Sequence, residues 1–122
     1  MINFYSFHGD PQRKTAALIA VRVWLQESGG TISIIRALAA GSDDLAAAHR
    51  ASGFPAPLLL LCETLCQRLP EAEAVAFVTG VLEDAACEAD LSGVADQFVA
   101  DLDPAQPGQH HADRLRAIVR AA

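Results

Sequence analysis

Proline and glycine cut this 122-residue chain into short pieces, and within each piece the apolar residues recur at helical spacing. The breaks fall at Asp10-Pro11, Gly29-Gly30, Gly41, Gly53 to Pro57, Pro70 and the Asp-Pro-Ala-Gln-Pro-Gly-Gln run at 103–109. Between them, Leu18, Val21 and Leu25 share one face, with Ala17 and Trp24 flanking. Leu58, Leu61, Cys62, Leu65 and Leu69 form a second stripe, and Val75, Val78, Leu82 and Ala85 a third, widened by Phe77 and Val81. Val94, Phe98 and Leu102, then Leu115, Ile118 and Val119, supply the last two. Hydrophobic residues make up 52% of the chain, much of that alanine, the best helix former and the smallest apolar packing residue. Aromatics are only 6% and valine and isoleucine are scattered, which argues against a sheet-dominated fold.

The spacing therefore predicts an all-α, compact bundle of five to seven short helices in a single domain over residues 1–122. Residues 1–9 read as an extended arm that docks Ile2, Phe4 and Phe7, and 103–109 as a linker to a basic C-terminal helix. Asp10 and Pro11 suit a helix start, and Ser42 with Asp43 and Asp44, Pro55 with Pro57, and Ser92 mark later ones. Residues 31–35 are β-branched enough for a strand, yet Ile34, Ile35, Leu38 and Ala39 fit a short helix stopped by Gly41; helix is the preferred reading. Gly80 inside a helix costs about 1 kcal/mol relative to alanine, which predicts a close helix contact there. The expected core comprises Leu18, Val21, Leu25, Leu58, Leu61, Cys62, Leu65, Val78, Leu82 and Phe98.

Charge is unevenly placed. The net charge is −6, and residues 62–108 hold ten carboxylates against Arg68 alone, whereas the last stretch sets Arg114, Arg116 and Arg120 against Asp113. Acidic middle and basic tail can pair within one molecule or between two. The acidic bulk repels nucleic-acid phosphates, so nucleic acid is a disfavoured partner. Leu45 to Leu65 has the order of a helix-turn-helix, but its second helix opens Pro-Ala-Pro-Leu with no side chain able to read a base edge. The acidic series Glu71, Glu73, Glu83, Asp84, Glu88 and Asp90 reads first as a solvated helix face and otherwise as a docking surface. No apolar run is long enough to span a bilayer, and the first residues lack the order of a signal peptide, so a cytoplasmic setting is expected.

Three cysteines without a secretory signal suggest free thiols. Cys62 and Cys66, four apart on one helix, could reach a shared ion with a histidine, but the short local ligand pairs usual for zinc are missing. Packing as small hydrophobes is the simpler reading. His8-Gly9-Asp10 holds an imidazole beside a carboxylate, but no serine or cysteine nucleophile is placed with them. His110 and His111, adjacent on a helix, point apart and make poor joint ligands. No cofactor is implied.

Phe7 to Pro11, Gly53 to Pro55, Leu69-Pro70 and Ala89 to Ser92 together carry a resemblance over about half the chain. In these stretches the sequence resembles an uncharacterised family of small bacterial and phage- or plasmid-associated helical proteins. That family often carries a glycine- and cysteine-rich stretch after the first helix, where this chain reads "SGGTISIIRALAAGSDDLAAA" without cysteine. The resemblance implies a mobile-element or bacterial cytoplasmic setting and supplies no activity. The functional expectation is a non-enzymatic protein-interaction module that works through helix faces. It would self-associate as a homo-oligomer or bind a protein partner, such as a host protein inhibited or regulated by a mobile element. The candidate contact residues are Glu73, Glu83, Asp84, Glu88, Arg114, Arg116 and Arg120. The alternative is a metal- or thiol-dependent protein built on Cys62, Cys66 and a histidine.

Overall fold

A computed structural model of the chain describes residues 6–27, 32–87 and 89–122. Seven helices appear among them: α1 Pro11–Glu27, α2 Ile34–Leu38, α3 Leu45–Ser52, α4 Ala56–Gln67, α5 Glu71–Asp84, α6 Val94–Ala100 and α7 Gly108–Ala121. The fold is an all-α bundle, with no strand among the described residues. Ile2, Phe4, Gly29-Gly30, Thr31 and Glu88 lie outside the described residues.

Local chemistry sets most of the boundaries. Asp10 Oδ1 accepts from the Gln12 amide at 2.9 Å, with Pro11 opening α1. Such a bond satisfies an amide that a helix start leaves without a partner. Residues 34–38 resolve as helix: Ser33 is extended, and its hydroxyl accepts from the Arg36 amide. Gly53 ends α3 with φ 72°, a conformation that glycine adopts without strain, and its amide reaches the His49 carbonyl. Pro55 and Pro70 immediately precede α4 and α5, where a missing N–H costs nothing.

Several expectations need correction. Residues 6–9 are not extended: Phe7 and His8 both sit at φ 53° and Gly9 at φ 74°, a tight left-handed turn. Left-handed backbone is unfavourable for residues with a Cβ, so tertiary contacts hold it. Ser6 bonds the Ala86 and Ala89 carbonyls, Phe7 is fully buried 6.1 Å from the Phe54 ring centroid, and His8 meets the Arg50 carbonyl at 2.9 Å. Ser92 does not cap α6. Its amide and hydroxyl both donate to Asp90 Oδ1, and Gly93 holds the N-cap position without a side-chain cap. Asp44, not Ser42, caps α3, leaving Asp43 to pair with Arg36 at 2.7 Å. Leu102 lies beyond the end of α6 and is exposed, and α7 starts at Gly108, inside the expected linker.

The core runs from Phe7 and Phe54 through Leu58, Leu59 and Cys62 to Val78, Leu82, Phe98 and Leu115, all essentially without exposure. Of the expected core, Leu18, Leu25 and Leu61 are only partly buried and pack against it from the edge. α7 lies along α5, and α1 crosses α2, α3 and α5. None of the described helices is long and apolar enough to cross a membrane.

The Asp10 cap gives a direct test. Asp10→Ala should lower stability by about 1 kcal/mol in urea unfolding, and Asp10→Ser should retain most of it.

Candidate functional site

The acidic end of α5 meets the basic residues of α1 and α7. Carboxylates at a helix C-terminus oppose the helix dipole, so Glu83 and Asp84 stand where negative charge is least favoured. Cations surround them. Lys14 Nζ donates to the Glu83 and Ala85 carbonyls at 3.1 and 2.8 Å, satisfying acceptors that the helix end leaves free. Arg22 pairs with Glu83. Arg116 and Arg120 both reach Asp84 Oδ2, at 2.8 and 3.3 Å, and the Asp84 side chain is only 12% exposed. That hydrogen bond raises the Arg116 guanidinium above its ordinary value.

Gly80 makes this possible. A Cβ there would overlap the Arg116 guanidinium, lying 2.7 Å from Nε and closer still to its centre. The arginine lies across the bare backbone of α5 on its way to Asp84, one turn further on. The close contact expected at Gly80 is thus with a side chain, not with the backbone of a neighbouring helix.

The candidate contact residues divide accordingly. Glu83, Asp84, Arg116 and Arg120 pair within the chain. Arg114 donates to the Phe98 and Gln97 carbonyls at 2.9 and 3.2 Å, stacks 4.9 Å from the Phe98 ring centre and closes the C-terminal end of α6. Glu73 is exposed in the first turn of α5, where a carboxylate complements the dipole. Glu88 lies outside the described residues.

The thiols face inward. Cys62 is fully buried, and burial pushes its thiol upward, helped by neighbouring Cys66 and Glu63. Burial likewise pushes Cys66 up to about 11; its Sγ donates toward the Ile32 carbonyl at 3.4 Å. Thiols held in this way stay protonated near neutrality, and a thiolate is the form that binds metal or attacks. Among the described residues, no three histidine, cysteine, aspartate or glutamate side chains are grouped to hold one ion.

His8 and His49 approach edge to face, 5.9 Å between ring centroids, His8 bonded to the Arg50 carbonyl and His49 Nδ1 to that of Phe54 at 2.7 Å. Asp10 is engaged by the amide of Gln12. His111 borders a hollow of about 290 Å³ between α4, α6 and α7, floored by Leu61, Leu65 and Phe98 with Arg68 at its edge.

Two features escaped the sequence reading. Glu63 on α4 accepts from the Ser33 hydroxyl at 2.7 Å and from the Ile35 amide at 3.4 Å, so it anchors the start of α2. The second is larger. α1 carries a second apolar face, Ala16, Ile19, Ala20 and Val23, spaced i, i+3, i+4, i+7 and turned outward. Ile19 is 57% exposed and Val23 46%. Hollows lie on either side: about 290 Å³ bounded by Ala16, Ala17, Ala20, Leu38, Ala51 and Arg13, whose guanidinium donates to the Arg50 carbonyl at 3.4 Å, and a shallower one beside Pro11, Gln12, Thr15 and Ile19. The spacing was present in the sequence, interleaved with the inward stripe of Ala17, Val21 and Leu25.

Comparison with protein-family models, with curated proteins and with solved structures finds no match.

Two outcomes test this geometry. In urea unfolding, Gly80→Ala should leave the native protein no more stable, because the displaced guanidinium offsets the helix gain. The same change in an Arg116→Ala background should stabilise by about 1 kcal/mol. For the thiols, folded values lie above the unfolded value of about 9, so above that pH the unfolded chain holds fewer protons than the native one. The thiols' contribution to stability should therefore be constant from about pH 6 to pH 8 and be lost as pH rises through 9 toward 11, read by urea midpoints across that range.

Proposed function

We propose that this chain is a non-enzymatic protein-interaction module that acts by contact through a helix face. The observation supporting this reading is the outward stripe of α1. A helix packed on one side of a bundle needs one apolar face, and a second one is a standing cost in water unless something covers it. Ile19 and Val23 are two of five large hydrophobic side chains exposed among the described residues, and they lie on one line with Ala16 and Ala20.

The remaining groups fit the same reading. The ionised side chains of α5 and α7 serve mainly to join those helices, which favours an apolar face over a charged one for contact. The setting inferred from the resemblance, a bacterial cytoplasm and a mobile element, narrows the proposal to a regulator or inhibitor of a host protein. The alternative built on Cys62, Cys66 and a histidine gains no support from two buried, protonated thiols.

Ile19→Ser with Val23→Ser tests the proposal. Both positions are exposed, so unfolding stability should change by no more than about 0.5 kcal/mol. Concentration-dependent sedimentation of the chain, or retention of a purified partner on it, should be lost. A wild-type chain that stays monomeric and retains nothing more than the double variant does would remove the proposal.

A further inference from the structure

Arg68 is the one cation of the acidic stretch 62–108. Every other lysine and arginine of the chain holds a carboxylate or a backbone carbonyl. Among the described residues, the Arg68 side chain alone makes neither an ion pair nor a hydrogen bond. It stands exposed at the edge of the hollow between α4, α6 and α7.

That hollow has an apolar floor and a polar rim. Leu65 and Phe98 are buried, Leu61 is partly so, and Leu102, 45% exposed, stands at the side. No acidic residue is among those that line it. The neighbouring carboxylates are engaged elsewhere: Asp101 with Arg114, Asp103 with the Ala105 amide and the Gln106 side chain, Asp113 with the Gln109 side chain. The Thr64 hydroxyl donates to the Leu60 carbonyl. Gly108 opens α7 at the same place, and Pro107 supplies no side-chain cap, so the positive pole of that helix adds to the charge of Arg68.

His111 lines the hollow as well. Its ring stands between Phe98 and His110, with centroids 6.0 and 5.8 Å away, and its Nδ1 is shut off from water without a hydrogen-bond partner. A buried polar atom in that state is a standing cost. Turning the ring toward an acceptor in the hollow relieves that cost and gives the site a second donor.

We propose that this hollow binds a small monocarboxylate with an apolar body, its carboxylate on Arg68 and His111 and its apolar end on Leu61, Leu65 and Phe98. An apolar concavity with a few convergent polar groups is the common form of a small-molecule site. Its volume of about 290 Å³ equals the space of about ten waters at roughly 30 Å³ each, which sets the ligand near ten non-hydrogen atoms. A ligand of that size, held by charge-assisted contacts in an open hollow, binds with a Kd of about 0.1–1 mM. None of the lining residues belongs to α1, so the site goes beyond the contact face proposed above and does not depend on it.

Phenylacetate is a probe of this size, with phenylacetamide as its uncharged counterpart and phenethylamine as a cation of similar shape. Titrated into the isotope-labelled full chain at neutral pH and fixed ionic strength, phenylacetate should give saturable NMR shifts at the His111 imidazole nitrogens and at the Leu61 and Leu65 methyls. Phenylacetamide should bind about tenfold more weakly, and phenethylamine not measurably. Arg68 is exposed, so Arg68→Gln should leave the urea midpoint unchanged. It should weaken phenylacetate by about five- to tenfold and leave phenylacetamide as it was.

An amide that binds as well as the acid, or an Arg68→Gln chain that keeps the preference for the acid, would overturn the carboxylate assignment. No saturable shift up to about 20 mM, or shifts that bypass His111 and both leucines, would overturn the site itself. Ile19→Ser with Val23→Ser should bind phenylacetate as the native chain does, so failure of either reading leaves the other standing.

Discussion

The end of α5 is the point on which the arrangement of the other helices depends. A helix that finishes with Glu83 and Asp84 places two negative charges against its own negative pole, and one of them is nearly buried. An unpaired buried carboxylate costs several kcal/mol, so the position is tolerable only when cations are brought to it. They come from both sides: Lys14 and Arg22 from α1, Arg116 and Arg120 from α7. Short helices such as these are marginal alone in water, and close apolar packing holds them together. The ionic cluster adds specific partners at the end of α5. Gly80 is part of the same device, because a Cβ there would overlap the Arg116 guanidinium on its present path across the helix to Asp84.

This accounts for the charge asymmetry of the sequence. An acidic middle and a basic tail were legible as halves of one interaction, and the structure closes that interaction inside the molecule. What spacing could not supply was the partner of each group, since Lys14 and the Glu83 carbonyl lie 69 residues apart in sequence and meet only after α1 has packed. The helices themselves were legible because each has a local signal: Asp10 and Pro11, Gly53, Pro55, Pro70, and apolar residues at a 3.6 period. The errors have separate causes. Asp44 accepts the first α3 amides in place of Ser42, whereas Ser92 donates its own amide and hydroxyl to Asp90 and Gly93 stands at the N-cap of α6. The left-handed turn at Phe7 and His8 has no local preference behind it at all; distant carbonyls at Ala86, Ala89 and Arg50 and the ring of Phe54 hold it.

The candidate site was the least legible part. Attention goes naturally to residues with chemistry, and here those residues are engaged in structure: thiols in the core, Asp10 as a cap, His8 against a carbonyl. The outward stripe of α1 contains only alanine, isoleucine and valine. It was hidden because two apolar faces on one helix make the pattern look uniformly hydrophobic, and the distinction between them exists only once neighbours cover one and not the other.

These two parts of the molecule are connected through α1. Its inward side buries Ala17 and Val21 while Lys14 and Arg22 reach the end of α5 beside them, and together these contacts fix the rotation of the helix about its own axis. Once that rotation is fixed, Ala16, Ile19, Ala20 and Val23 have no choice but to face water, and Arg13 and Glu27 are carried out beside them. The exposed stripe is therefore not a failure of packing that a small roll of the helix would repair. Rolling α1 to bury Ile19 would withdraw Lys14 and Arg22 from Glu83 and leave the carbonyls at the end of α5 without donors. The same ionic contacts that close the bundle on one side leave an apolar face open on the other.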